Sequence, residues 1–273
     1  MSSVIVIQQT DAVHLITDGA YYDHNGVITD IRSKVMHLPH SNCAFAMRGA
    51  SWPRAALTFP LQFADSLDDV VDMLPNLMRA MVSTFDNMYG PDASPLDRNF
   101  EVTVAGWSDR LQRMVAGVAS TWEPRDPNDV TEISYLNGYE CCVPWVPGQG
   151  YTAPAIDIQA VLGRAIDTQG DIDAIDPEQD GFKIHLAQRR EGGVYGGKGA
   201  YLIGGFAELT TVRRDGISRR ILREWPDQVG HKITPEGAAP LEMLQAALDA
   251  ANAWREAKRV ALEEVADRLD EAA

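Results

Sequence analysis

Ser2, Asp18 and Lys34 stand at equal intervals of sixteen residues, within an opening segment that alternates strand and turn signals. That alternation constrains the fold more than any other feature. Val4-Ile5-Val6-Ile7 is an apolar, β-branched run, Thr10-Asp11 supplies turn residues, and Ala12 to Thr17 reads as a second strand with Asp18 at its end. After His24-Asn25-Gly26 come Val27 to Ile31 and then Lys34, and a fourth strand, Cys43 to Met47, leads into Arg48-Gly49-Ala50-Ser51. Short apolar runs punctuated by Asn-Gly and Asp-containing turns predict antiparallel hairpins.

Helices follow. Ser51-Trp52-Pro53 predicts a helix start with proline in its first turn, ended or kinked at Pro60. Ser66 with Asp69 resembles a capping box, and Val70, Leu74, Leu77, Met81 and Phe85 recur at helical spacing through a kink at Pro75. Phe100 to Gly106 and Gln112 to Ser120 predict a hairpin, as do Ala207 to Val212 and Ile217 to Leu222. Between these hairpins, Ile133 to Val143 predicts strands, and Ile156 to Ile166 and Gly181 to Arg190 predict helices. From Pro240 to the C-terminus runs a long helical pattern rich in Ala, Leu, Glu and Arg.

The opening segment resembles that of proteasome β subunits and their bacterial relatives in the N-terminal-nucleophile (Ntn) hydrolase superfamily. With Ser2 counted as the first residue after methionine removal, Asp18 and Lys34 fall in that family's register without a gap, and Gly49 matches its oxyanion-hole glycine. The resemblance implies an α+β fold: a four-layer αββα sandwich of two antiparallel sheets with helices outside. It covers residues 1–236, with residues 237–273 as a C-terminal helix. Ser2 would begin a strand at a sheet edge, beside the strand that carries Asp18.

The resemblance also implies a chemistry. A hydroxyl is a weak nucleophile, and here the chain's own α-amine serves as its base, directly or through a water. Its pKa of about 7.7–8.0 leaves a neutral fraction near pH 7. Lys34 would favour the alkoxide, Asp18 would hold Lys34 charged and pointed, and the Gly49 N–H would stabilise the oxyanion. The expected activity is that of an N-terminal-serine amidohydrolase or peptidase, without cofactor or metal, acting on peptide or amide substrates. The family's ring-building habit implies a homo-oligomer.

Departures from the family keep a second reading open. Thr152-Ala153-Pro154-Ala155-Ile156 has no Ser-Gly pair where active members carry one. Aligning Gly204-Gly205 puts Ala200 and Ile203 where the family has a supporting Asp and Ser, although Glu191 could take the acid role if the Gly-rich stretch is an insertion. The alternative is a catalytically silent assembly module of a ring, phage particle or similar machine.

Composition narrows the partners. With 39 acids against 24 bases the net charge is −15, which argues against a nucleic-acid footprint. Three cysteines, Cys43, Cys141 and Cys142, offer neither an even disulfide framework nor metal spacing, so a reducing, cytoplasmic setting is expected. No stretch approaches the ~20 apolar residues of a membrane-spanning helix. Gly192 to Lys198 meets phosphate-loop spacing, but Gly199 replaces the magnesium-binding Ser or Thr, and a flexible loop is expected instead. The acids between Asp167 and Asp180 lack EF-hand spacing, and the six histidines show no ligand spacing.

Overall fold

The computed structural model describes residues 2–90, 94–121, 151–191 and 200–237. The strands expected over 133–143, the Gly-rich stretch 192–199 and the helix expected from Pro240 lie outside the described residues.

The chain opens with β1 (Val4–Gln8), β2 (Ala12–Asp18), β3 (Ala20–Tyr22), β4 (Ile28–Ile31), β5 (Val35–Leu38) and β6 (Cys43–Gly49). Helices α1 (Pro53–Leu61), α2 (Leu67–Tyr89) and α3 (Pro95–Arg98) precede the hairpin of β7 (Phe100–Ser108) and β8 (Arg113–Ser120). Then come β9 (Tyr151–Ala153), α4 (Ile158–Leu162), α5 (Gln169–Asp173) and α6 (Asp180–Glu191), and last the hairpin of β10 (Phe206–Arg213) and β11 (Gly216–Glu224). The fold is mixed α+β with three antiparallel sheets among the described residues: β11-β10-β2-β1-β9, β5-β6-β7-β8 and the pair β3-β4.

Strand alternation divides the apolar residues between two faces. Val4 and Val6 of β1, with Val13 and Leu15 of β2, share one core cluster with Ala44, Ala46, Ala105, Met114, Ala116 and Val118 of the four-stranded sheet. The intervening Ile5, Ile7 and Ile16 instead join Ile166, Ile172, Ile175 and Ile184, from α5, α6 and the loops beside them. The four-stranded sheet divides similarly, since Phe45, Phe100, Val102 and Val104 pack against Leu57 and Leu61 of α1 and Leu67, Val70, Leu74 and Met78 of α2. Burial on both faces explains why β1 and β6 read as unbroken apolar runs. Each large side chain so buried contributes about 1.5–3 kcal/mol, and a one-residue slip would exchange the two faces of β1 wholesale.

Local signals account for the ends of the helices. Ser66 caps α2, its Oγ accepting from the Asp69 N–H at 3.1 Å. α1 ends at Leu61, one residue past Pro60, whereas Pro75 is accommodated inside α2 without ending it. The helix expected over Ile156 to Ile166 is shorter: Asp157 caps α4 and Gly163, in the left-handed region, ends it after five residues. A true capping box, Thr168 with Asp171, starts α5 and was not anticipated. The expectation that Ser2 begins an edge strand is also corrected. β9 pairs outside β1, with Val4 opposite Ala153, so β1 has a neighbour on each side. Three residues between prolines and glycines carry too little periodicity to mark β9 as a strand beforehand.

Candidate active site

Four chain segments converge on the Asp18 carboxylate. β2 ends at Asp18, whose side chain is fully buried, and its oxygens collect every donor that reaches it. Oδ1 accepts from the Ser3 N–H at 2.8 Å and from Lys34 Nζ at 2.7 Å. Oδ2 accepts from the Ala20 N–H at 3.2 Å and the Gly204 N–H at 3.3 Å. The start of β1, the start of β3, the approach to β5 and the entry to β10 are thereby tied to one anion. Charge-assisted bonds of this kind are about twice as strong as neutral ones.

Gly204 reaches Asp18 because the chain turns sharply at Gly205, where φ is +75°. A β-carbon on Gly205 would lie 2.8 Å from Ile31 Cγ2 and 3.2 Å from the Ala20 nitrogen, so the position requires glycine on both counts.

Lys34 lies one residue before β5, and its side chain is 1 % exposed. Burial pulls its pKa below the ordinary lysine range, Arg54 adds to that, and the Asp18 charge opposes it. The ammonium also sits 5.3 Å from the centre of the Tyr21 ring. Arg54, from the first turn of α1, donates to the Tyr21 hydroxyl and, through Nη2, to Met36 Sδ at 2.9 Å. A lysine held in this way is less firmly protonated than one in water.

Ser2 is the residue before the Ser3 amide that Asp18 holds, and it is 9 % exposed. Continuing the β1 alternation groups Ser2 with Val4 and Val6, on the side facing the four-stranded sheet. No hydrogen bond among the described residues engages its hydroxyl. Gly49 ends β6 with φ at +88°, a conformation that favours glycine. Val35, the residue after Lys34, pairs with Ala46, three residues before Gly49 on β6.

Several residues around this centre were missed from the sequence. Glu208 of β10 is 1 % exposed, accepts from Ser33 Oγ at 2.7 Å, and has its pKa raised by burial. It pairs with Thr17 on the face toward the other sheet, and an acid inside the apolar run Ala207 to Val212 was the available signal. Tyr21 and Arg54 carried none, because their meeting depends on how α1 packs. Ala200 and Ile203, the positions aligned above with a supporting Asp and Ser, supply no side-chain polar group. Ile203 gives its carbonyl to Arg189 Nη1 at 2.6 Å, and Arg189 also pairs with Asp227 at 2.8 Å. Asp180 is occupied by Arg164 and Lys183 at the surface.

A cavity of about 250 Å³ between α6 and β11, lined by Phe182, Leu186, Arg189 and Trp225, includes none of Ser2, Asp18, Lys34 or Gly49. Among the described residues, no group of three His, Cys, Asp or Glu side chains is placed to hold a metal ion, and no helix is long and apolar enough to cross a membrane. No protein-family model matches the chain, and no curated protein is significantly similar to it in sequence.

Proposed function

We propose that the chain is a proteasome-like N-terminal-serine amidohydrolase built on the four-layer αββα sandwich. The observation that carries this reading is the buried Asp18–Lys34 pair, bonded through Asp18 Oδ1 to the amide immediately after Ser2. The layered arrangement is supported by the core clusters, in which sheet faces sheet and each outer face meets helices or the loops beside them.

In the proposed reaction the Ser2 α-amine, freed by methionine removal, takes the proton from Ser2 Oγ as the oxygen attacks a peptide or amide carbonyl. Lys34 stabilises the developing alkoxide, and the Gly49 N–H donates to the tetrahedral oxyanion. The protonated amine then gives its proton to the departing amine, leaving an ester on Ser2. Water, deprotonated by the same amine, hydrolyses that ester and restores the hydroxyl. No cofactor enters this scheme. Self-assembly into a homo-oligomer belongs to the same proposal, and sedimentation of the intact chain tests it.

The second reading, a silent assembly module, draws on Ala200 and Ile203, which leave the amine without the family's supporting acid and hydroxyl. One experiment separates the two readings. Intact mass establishes that Ser2 is the first residue, and the protein is then treated with a peptide epoxyketone, which reacts with an amine and hydroxyl on one residue. Labelling that is lost in Ser2→Ala, strongly reduced in Lys34→Ala and kept in Ser2→Thr supports the enzyme. A wild-type protein with free Ser2 that takes no label leaves the assembly module.

A further inference from the structure

Ser3 is held from two directions. Its N–H donates to Asp18, while its hydroxyl lies on the opposite side of the sheet from the Ser2 side chain, with Ile5 and Ile7, facing α6. There it meets His185 Nδ1 at 3.0 Å and Gln188 Oε1 at 2.5 Å. Ser3 and His185 are fully buried, and Gln188 is 2 % exposed.

The protons in this group can be assigned by elimination. Gln188 Nε2 lies 2.6 Å from the Pro154 carbonyl, which can only accept, so the amide oxygen faces Ser3. That oxygen also only accepts, so the Ser3 hydroxyl donates to it. Ser3 Oγ is then left to accept, and His185 must carry its proton on Nδ1. The remaining ring nitrogen, Nε2, is bare and buried with no partner among the described residues. The imidazole stacks on Trp225 with ring centres 5.6 Å apart, and the Arg189 guanidinium lies 4.4 Å from the same indole. With Arg189 and Lys34 as neighbouring cations and Asp18 the opposing anion, burial lowers the His185 pKa to about 4, and the ring is neutral at pH 7.

Chain termini ordinarily fray, whereas N-terminal catalysis requires the first residue to be fixed within a fraction of an ångström. We propose that Ser3, His185 and Gln188 form a clamp that positions Ser2 against the Asp18–Lys34 pair, an inference that rests on the N-terminal-serine reading. Asp18 sets the height of the terminal strand through the Ser3 amide. The α6 pair sets its rotation through the Ser3 hydroxyl, and Ser2 inherits both.

The test uses the full chain with Ser2 shown by mass to be free. Ser3→Ala removes the hydroxyl at the smallest change in volume. His185→Phe keeps the ring on Trp225 but loses the donor, and His185→Asn restores a donor at the Nδ1 position. The clamp predicts that Ser3→Ala and His185→Phe slow epoxyketone inactivation by up to about 10²-fold, the cost of a displacement near 1 Å. The loss falls on the inactivation rate constant rather than on inhibitor affinity, and His185→Asn recovers most of it. Two readouts are independent of activity: ¹⁵N spectra should put the His185 proton on Nδ1, and exchange of the Ser3 amide should quicken in His185→Phe. Wild-type inactivation rates in both clamp variants, or a proton on Nε2, would overturn the clamp. A wild type that is never labelled refutes the enzyme reading. Faster Ser3 exchange in His185→Phe then still upholds the clamp, and unchanged exchange overturns it.

Discussion

Asp18→Asn removes one charge and almost no volume, so its effect isolates what the carboxylate does. Lys34 would be left as a buried ammonium, 1 % exposed, without its counterion. Removing one partner of a buried pair costs about 3–5 kcal/mol. The new amide cannot escape by flipping. With its nitrogen in place of Oδ1 it faces the Ser3 N–H and Lys34, and in place of Oδ2 it faces the Ala20 and Gly204 N–H groups. Either orientation sets donor against donor. The expected loss is about 3–5 kcal/mol, read as a lower urea midpoint at unchanged slope. Adding Lys34→Met removes the stranded cation, and the double variant should recover about 2 kcal/mol relative to additivity. The penalty also has a pH signature. A buried lysine without its anion has a folded pKa still further below its ordinary 10.5, so the unfolded state holds the proton that the folded state resists. The Asp18→Asn deficit therefore shrinks as pH rises from 7 toward 10. A loss under about 1 kcal/mol, strict additivity with Lys34→Met, or a deficit independent of pH would refute the assignment of Asp18–Lys34 as a coupled buried pair.

Two further perturbations probe the same framework. Burial lowers the pKa of His14 and His185 from 6.5 to about 4, so the unfolded chain binds their protons first as the pH falls. Stability is then complete above about pH 6.5 and declines toward pH 4 by about 3 kcal/mol per histidine, and a urea midpoint unchanged between pH 7 and 5 would contradict this. Gly205→Ala meets both positive φ and close atoms, so it should cost about 1–3 kcal/mol and, by moving the Gly204 N–H off Asp18, slow Ser2 labelling. Gly163→Ala has φ at +66° but open space around it, and equal losses at the two sites would show that the contacts around Gly205 are not what matters.

Much of the fold was legible because local chemistry repeats on a local period. The runs Val4 to Ile7 and Cys43 to Met47, the two hairpins built on residues 100–120 and 206–224, and the Ser66 cap all lie where the pattern put them. The resemblance of the opening segment, which implied that Asp18 holds Lys34, likewise anticipated one real contact, the 2.7 Å pair of Asp18 and Lys34. Periodicity records which face of a segment is apolar and says nothing of what will cover it. Only the tertiary structure therefore decided that β9 lies outside β1, that the Gly204 N–H shares Asp18 with the Ser3 N–H, and that Tyr21 and Arg54 close over Lys34. His185 reaches Ser3 across 182 residues of sequence. Nothing in either neighbourhood anticipates a neutral imidazole there, because its protonation state follows from burial and from Ser3 and Pro154, which only folding brings alongside α6.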